Sequence, residues 1–115
     1  MTGYDFYLHA TAMLGMTRES AERSGVLPHI CAMLDTVCRD LHVTPPEVLS
    51  EQIQTNPAKE EALLYGLAMH LSLACADSAA NHFYTELYTV KRARALAQTQ
   101  TIRDVLPRDN GGVRS

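Results

Sequence analysis

Tryptophan is absent from the chain and phenylalanine occurs only at Phe6 and Phe83. A core therefore has to be assembled from Leu, Ala, Met, Val and Tyr, a palette that favours helices. No alternating apolar and polar pattern of strand length is present. Cysteine is scarce and odd in number: Cys31, Cys38 and Cys75 form no CxxC pair and lie in apolar periodic segments. The N-terminus, MTGYDFYLHA, lacks the basic region and continuous apolar run of a secretory leader. The expectation is three buried free thiols in a reducing compartment. The longest apolar stretch, Ala62 to Ala76, is interrupted by Tyr65, His70 and Ser72. It falls short of the roughly 20 residues that cross a bilayer, so no membrane span is expected. Catalytic signatures are missing as well. There is no nucleophile elbow, no Gly-rich phosphate loop and no HExxH, which points to a protein that is not an enzyme and takes no cofactor.

What is present fits one small domain. A chain of 115 residues and 12.7 kDa suffices for one hydrophobic core and not for two. The net charge of −3 conceals an asymmetry: residues 17–61 sum to −4 and residues 62–115 to +2. One half is acidic and the other basic, as suits complementary faces that meet in neighbouring copies.

The apolar spacing predicts an all-α fold, a bundle of about four helices followed by an extended C-terminal tail. Tyr4 to Leu14 sets Phe6 or Tyr7, Ala10, Met13 and Leu14 on one helical face, with Gly15 where a left-handed residue ends a helix. The polar run TRESAERSG reads as a connection with room for a helical turn capped by Thr17 and closed by Gly25. From Leu27, the positions Leu27, Ile30, Cys31, Leu34, Val37, Cys38 and Leu41 recur at three and four, one unbroken amphipathic stripe. Residues 42–56, with Pro45 and Pro46, fit either a short helical segment or a laid-down loop. Asn56 and Pro57 then serve as N-cap and first position of a helix running to about Ala76, with Glu60 and Glu61 in its first turn. That helix is apolar on nearly every side and so should be the central one. Gly66 within it implies a close-packed neighbouring backbone. Asp77 or Ser78 can cap a last helix, Ala79 to Leu96, whose inward stripe would be Ala80, Phe83, Tyr84, Leu87 and Val90 or Lys91. Beyond Ala97 the periodicity lapses, which divides the chain into a helical domain of residues 1–97 and a tail of residues 98–115.

Few residues suggest chemistry. His70, Cys75 and His82 lie near one turn, but nothing imposes the geometry of a zinc site, and no metal is expected. The stretch ESAERSGVLPHICAML, with Ala21 four residues before Gly25, has helix-turn-helix spacing. This makes a small DNA-binding regulator built on residues 17–41 the alternative reading. Its would-be recognition helix offers His29, Ala32 and Met33 in an acidic half, which opposes the phosphate backbone. Lys91, Arg92 and Arg94 complement a helix C-terminus. With Tyr84 and Tyr88 they also form a strip of the aromatic and basic kind enriched at protein interfaces.

Taken together, EALLYGLAMHLSLACADSAANHFYTELYTVKRARAL followed by IRDVLP resembles the small head-tail connector (adaptor) proteins of long-tailed phages and prophages. The likeness covers Glu61 to Pro107. It extends more loosely to AMLGMT and to the helix ending CRDL, and it departs at Thr89, where an Asn is common, and in the longer RESAERSG linker. The resemblance implies a homo-oligomeric ring in the virion, assembled in the host cytoplasm. That ring would sit between the portal protein and the tail completion or stopper proteins, around a channel through which DNA passes without specific contact. On this view the subunit interface draws on Tyr84, on Tyr88, Lys91 and Arg92 at the outer side of the core stripe, and on Ile102, Arg103, Asp104, Val105, Leu106 and Pro107. The apolar members of that last segment have nothing to bury against within one chain.

Overall fold

The computed structural model describes the backbone of residues 1–105 and the side chains of residues 1–97. It is all-α, with helices α1 (Gly3–Met13), α2 (Arg18–Ser24), α3 (Ile30–Asp40), α4 (Pro57–Ala74) and α5 (Ser78–Val105), and a 3-10 turn (Leu27–His29) leading into α3. Among the described residues the nearest thing to a sheet is a single antiparallel bridge between Thr2 and Gln52.

Local chemistry sets the ends of these helices. The Thr2 hydroxyl accepts from the Asp5 N–H while the Asp5 carboxylate accepts from the Thr2 N–H, a reciprocal box that starts α1. Thr17 caps α2 in the expected place, with Ser20 as its reciprocal partner, and Gly25 closes it in the left-handed region at φ 75°. Asn56 accepts from the Lys59 N–H at the head of α4, with Pro57 in the first turn. Two other helix ends use residues that enter the left-handed region less readily, His42 at φ 59° after α3 and Ala76 at φ 57° after α4. In each the next residue's N–H returns to an open carbonyl, Val43 to Cys38 at 2.8 Å and Asp77 to Ser72 at 2.9 Å.

Helix α4 is central, packed on by α1, α3 and α5. Its Ala62, Leu63, Gly66, Leu67, Ala68, Leu71 and Ser72 are all buried, which is how a helix apolar on nearly every side earns its place. The stripe expected of α3 is mostly realised: Ile30, Leu34, Val37, Cys38 and Leu41 are buried, while Leu27 and Cys31 lie half-buried at its edge. Residues 42–56 form no helix. They wrap as a strap that buries Val43 and Ile53 and is held to α1 by Tyr4 N–H to Leu49 O and Ile53 N–H to Met1 O, at 2.9 and 3.0 Å.

The last helix departs from expectation in two ways. It continues to Val105 instead of stopping near Leu96, because Ala, Gln, Leu and Arg hold helical backbone without an apolar period. Its inward stripe also differs in part: Tyr84 is buried and Ala80 and Leu87 half-buried as expected, but Tyr88 is inward and Phe83 and Val90 are not. Tyr84, Tyr88 and Ala95 are buried, whereas Phe83 and Val90 are 56% and 52% exposed. Tyr88 therefore belongs to the core and not to an outer strip. Tyrosine can turn inward here because its hydroxyl finds a partner there, so the ring is buried and the polar tip is satisfied.

Candidate functional site

The residues singled out on α5 converge on one node with α3 and α4. The Tyr88 hydroxyl donates to Asp40 Oδ2 at 2.5 Å, and Arg92 Nε donates to the same oxygen at 2.7 Å. Asp40 is the last residue of α3, and its carboxylate is 41% exposed. The Tyr88 ring lies against Gly66 so closely that a Cβ on that glycine would sit 2.9 Å from Tyr88 Cε1 and 2.6 Å from Val37 Cγ1. What approaches Gly66 is thus a ring and a methyl group, and not the neighbouring backbone the sequence suggested. One turn along, Lys91 Nζ meets Glu61 Oε2 at 3.3 Å and lies 5.9 Å from the centre of the Tyr65 ring. Tyr84 sends its hydroxyl to Met13 O at the end of α1, 2.9 Å away. At the turn, Asn81 Nδ2 donates to Met69 O at 3.0 Å and to the fully buried Ser72 hydroxyl at 3.3 Å.

These groups shift one another. Partial desolvation would raise the Asp40 carboxyl, but the hydrogen bonds from Tyr88 and Arg92 and the guanidinium charge outweigh it and hold the acid below its ordinary range. Burial first, and the Asp40 carboxylate second, push the Tyr88 phenol far up, so it remains a donor at any physiological pH. The Arg92 guanidinium is raised by its bond to Asp40. The node is a structural clamp with no unsatisfied nucleophile, base or acid in it.

The charge asymmetry is thereby used within the chain: Lys91 and Arg92, from the basic half, neutralise Glu61 and Asp40, from the acidic half. Of the interface residues expected on α5, Tyr84 and Tyr88 are buried and Lys91 and Arg92 are half-buried in these pairs. The side chains of Ile102, Arg103, Asp104 and Val105 lie outside the described residues, as do Leu106 and Pro107 altogether. Sequence reasoning missed Asp40, which entered only within the segment CRDL, and Glu61, which it assigned only to the first turn of α4. The signal available was the coincidence of CRDL with LYTVKR among the segments that carry the resemblance.

Other candidates fare differently. Among the described residues no cluster of His, Cys, Asp and Glu could hold a metal ion. Cys75 is exposed, contrary to expectation, because it caps α4 at the turn into α5. Cys38 is buried, and loss of water pushes its thiol up to about 11. Among the described residues no helix is long and apolar enough to cross a membrane. Helices α2 and α3 do meet at a left-handed Gly25, but the open face of α3 carries Ala32, Thr36, Arg39 and Asp40, with Arg39 engaged by Asp35 at 2.9 Å. That face presents no free Arg, Lys, Asn or Gln to a base edge.

The chain matches no family model, no curated protein and no solved structure.

Proposed function

We propose that this chain is a virion structural protein, a head-tail connector that assembles as a homo-oligomeric ring between portal and tail completion proteins around the DNA channel, without enzymatic activity. The observation that carries the reading is the meeting of the resemblance-bearing segments at one node. Asp40 comes from CRDL, Gly66 from LLYGLA, and Tyr88, Lys91 and Arg92 from LYTVKR. Three separate stretches that resemble one family in sequence are three parts of one clamp in space. This is what is expected if the likeness reflects a shared fold and not chance composition. Two further observations support it: a wholly helical bundle, and a last helix that runs past its last described buried residue, Ala95, to Val105. In this reading the segment Ile102 to Pro107 reaches a neighbouring subunit or the portal.

The test is particle size. Purified full-length chain, examined by light scattering after size exclusion and by negative-stain microscopy over a range of concentrations, with and without portal protein, should give a closed ring many times the mass of one chain. A species that stays monomeric or dimeric even with portal present, and that retards a DNA duplex selectively at physiological salt, would replace the connector with the regulator built on residues 17–41.

A further inference from the structure

Among the described residues, apart from Leu73 beside the α4–α5 turn, the exposed large apolar side chains fall into two patches. The first runs along α5: Phe83, Leu87 and Val90 at spacings of four and three, continued by the exposed Arg94. Residues so spaced share one helical flank. Phe83 does not float there. Its ring stands edge-on to the buried Tyr84 at 5.0 Å, so the outward aromatic is held in place by an inward one. Of the charges along this flank, Glu86 is engaged by its own His82 at 3.2 Å, whereas Arg94 makes no ion pair among the described residues. The patch is apolar, with Glu86 beside it and Arg94, which has no ion-pair partner among the described residues, as the positive charge at its C-terminal end.

The second patch lies where the strap crosses the head of α1. Tyr4 is 37% and Val48 56% exposed. Hydrogen bonds gather them into one corner: Tyr4 N–H to Leu49 O at 2.9 Å, Glu51 N–H to Val48 O at 3.1 Å, and Glu47 N–H to Glu51 Oε1 at 2.6 Å. Glu47 and Glu51 are exposed and pair with no cation among the described residues. This patch is apolar with two uncompensated negative charges.

We infer that these two patches are the two halves of one contact between copies of this chain, with Phe83, Leu87, Val90 and Arg94 of one subunit seated on Tyr4, Val48, Glu47 and Glu51 of the next. The inference rests on the ring reading and gives that ring a geometry. The patches differ from each other, and Arg94 is opposite in charge to Glu47 and Glu51; used once between each pair of neighbours, such a contact is head-to-tail and closes into a ring when the rotation from one subunit to the next allows it. Nucleic acid fits neither half, since one is acidic and the other carries a single cation. Each patch is also small beside the roughly 800 Å² per partner of a stable pairwise interface. An isolated pair would dissociate readily, and closure, where each subunit is held on two sides, is what makes the contacts persist.

The experiment uses the full chain and a charge reversal. Arg94→Glu should raise the concentration at half-assembly at least about tenfold, and Glu47→Arg with Glu51→Arg should do the same. All three changes on one chain should bring it back to within about threefold of the unmodified protein, an outcome that a general loss of solubility or fold would not produce. Val90→Asp, at an exposed position, should abolish assembly while circular dichroism stays unchanged. Phe83→Ser serves as a second apolar variant. If the unmodified chain forms rings and these variants form them equally well, the proposed contact is wrong and the ring reading stands. If the single reversals weaken assembly but the combined variant does not recover, the pairing of these two patches is wrong. If the unmodified chain fails to assemble at every concentration, alone and with portal protein, both the contact and the ring fall together.

Discussion

Gly66→Ala is the substitution that interrogates the node most directly. In an unencumbered helix interior it would stabilise the protein by about 1 kcal/mol. Here the new Cβ would lie 2.6 Å from Val37 Cγ1 on α3 and 2.9 and 3.1 Å from two carbons of the Tyr88 ring on α5, so it is wedged from two sides. Neither neighbour yields easily. Val37 is β-branched in a helix and 1% exposed, and the Tyr88 ring is held by its bond to Asp40. Overpacking of this kind costs about 1–3 kcal/mol, which exceeds the propensity gain. The net expectation is a loss of about 1 kcal/mol, a fall in melting temperature of roughly 4–8 °C on the scale of small domains. The decisive assay is a double-mutant cycle followed by urea denaturation. Val37→Ala alone should destabilise by about 2 kcal/mol through lost burial. In its background Gly66→Ala should cost clearly less, because only the Tyr88 ring still opposes the new methyl, a coupling of about 1 kcal/mol. A Gly66→Ala protein more stable than the parent, or one equally destabilised with and without Val37, would refute the packing described for this position.

Ala76→Gly should stabilise by about 0.5–1 kcal/mol, since the left-handed conformation costs an alanine about 1–2 kcal/mol and a glycine nothing, less the extra freedom glycine has when unfolded; thermal melts check it. The Asp40 carboxyl is depressed in the folded state, so its contribution is fully present above the unfolded value of about 3.9 and is lost as pH falls through the lower folded one. Asp40→Asn and Tyr88→Phe should both flatten the acid limb of stability against pH, and a limb unchanged in both would exclude the clamp as its source. Thiol titration of the native protein should reveal one fast cysteine, Cys75, with Cys38 reacting only on unfolding because it is fully buried and its thiol is raised to about 11. Deleting residues 101–115 should leave a folded helical chain, because the last described buried residue is Ala95, and should impair ring formation or incorporation into heads.

The elements legible in the sequence were those marked by local chemistry. Thr17 and Asn56 announced their helices by capping, Gly15 and Gly25 their ends, and the three-four recurrence from Leu27 to Leu41 announced α3. On α5 the same method placed Tyr84 inward correctly but also took Phe83 and Val90 for the interior and left Tyr88 out, since Phe83 and Val90 are more apolar than Tyr88 and a hydrophobicity pattern selects them. The choice was made by partners the pattern cannot contain: the carbonyl of Met13 and the carboxylate of Asp40 each await a hydroxyl, and only tyrosine supplies one. Likewise the reach of α5 was hidden because apolar periodicity records burial, whereas Ala97 to Val105 is helical by backbone preference. Opposite charges in the two halves were visible. That two of the pairs form within one chain required knowing that α4 and α5 run antiparallel, which sets Lys91 beside Glu61.

Three ties from α5 to the helices before α4 span long stretches of chain: Tyr84 reaches back 71 residues to Met13, and Tyr88 and Arg92 reach back 48 and 52 to Asp40. During synthesis, α1, α2 and α3 are complete well before α5 exists to meet the Met13 carbonyl and the Asp40 carboxylate or to cover Gly66. The chain therefore emerges from the ribosome as an open assembly of helices with its apolar faces uncovered, and it closes only when its C-terminal third is delivered. Such late, distant contacts slow folding and lengthen the interval in which nascent copies can associate wrongly. For a protein proposed to be made in many copies beside one another, the last helix is then also the step that times its safe release, and translation stalled before residue 84 would leave a species prone to aggregation.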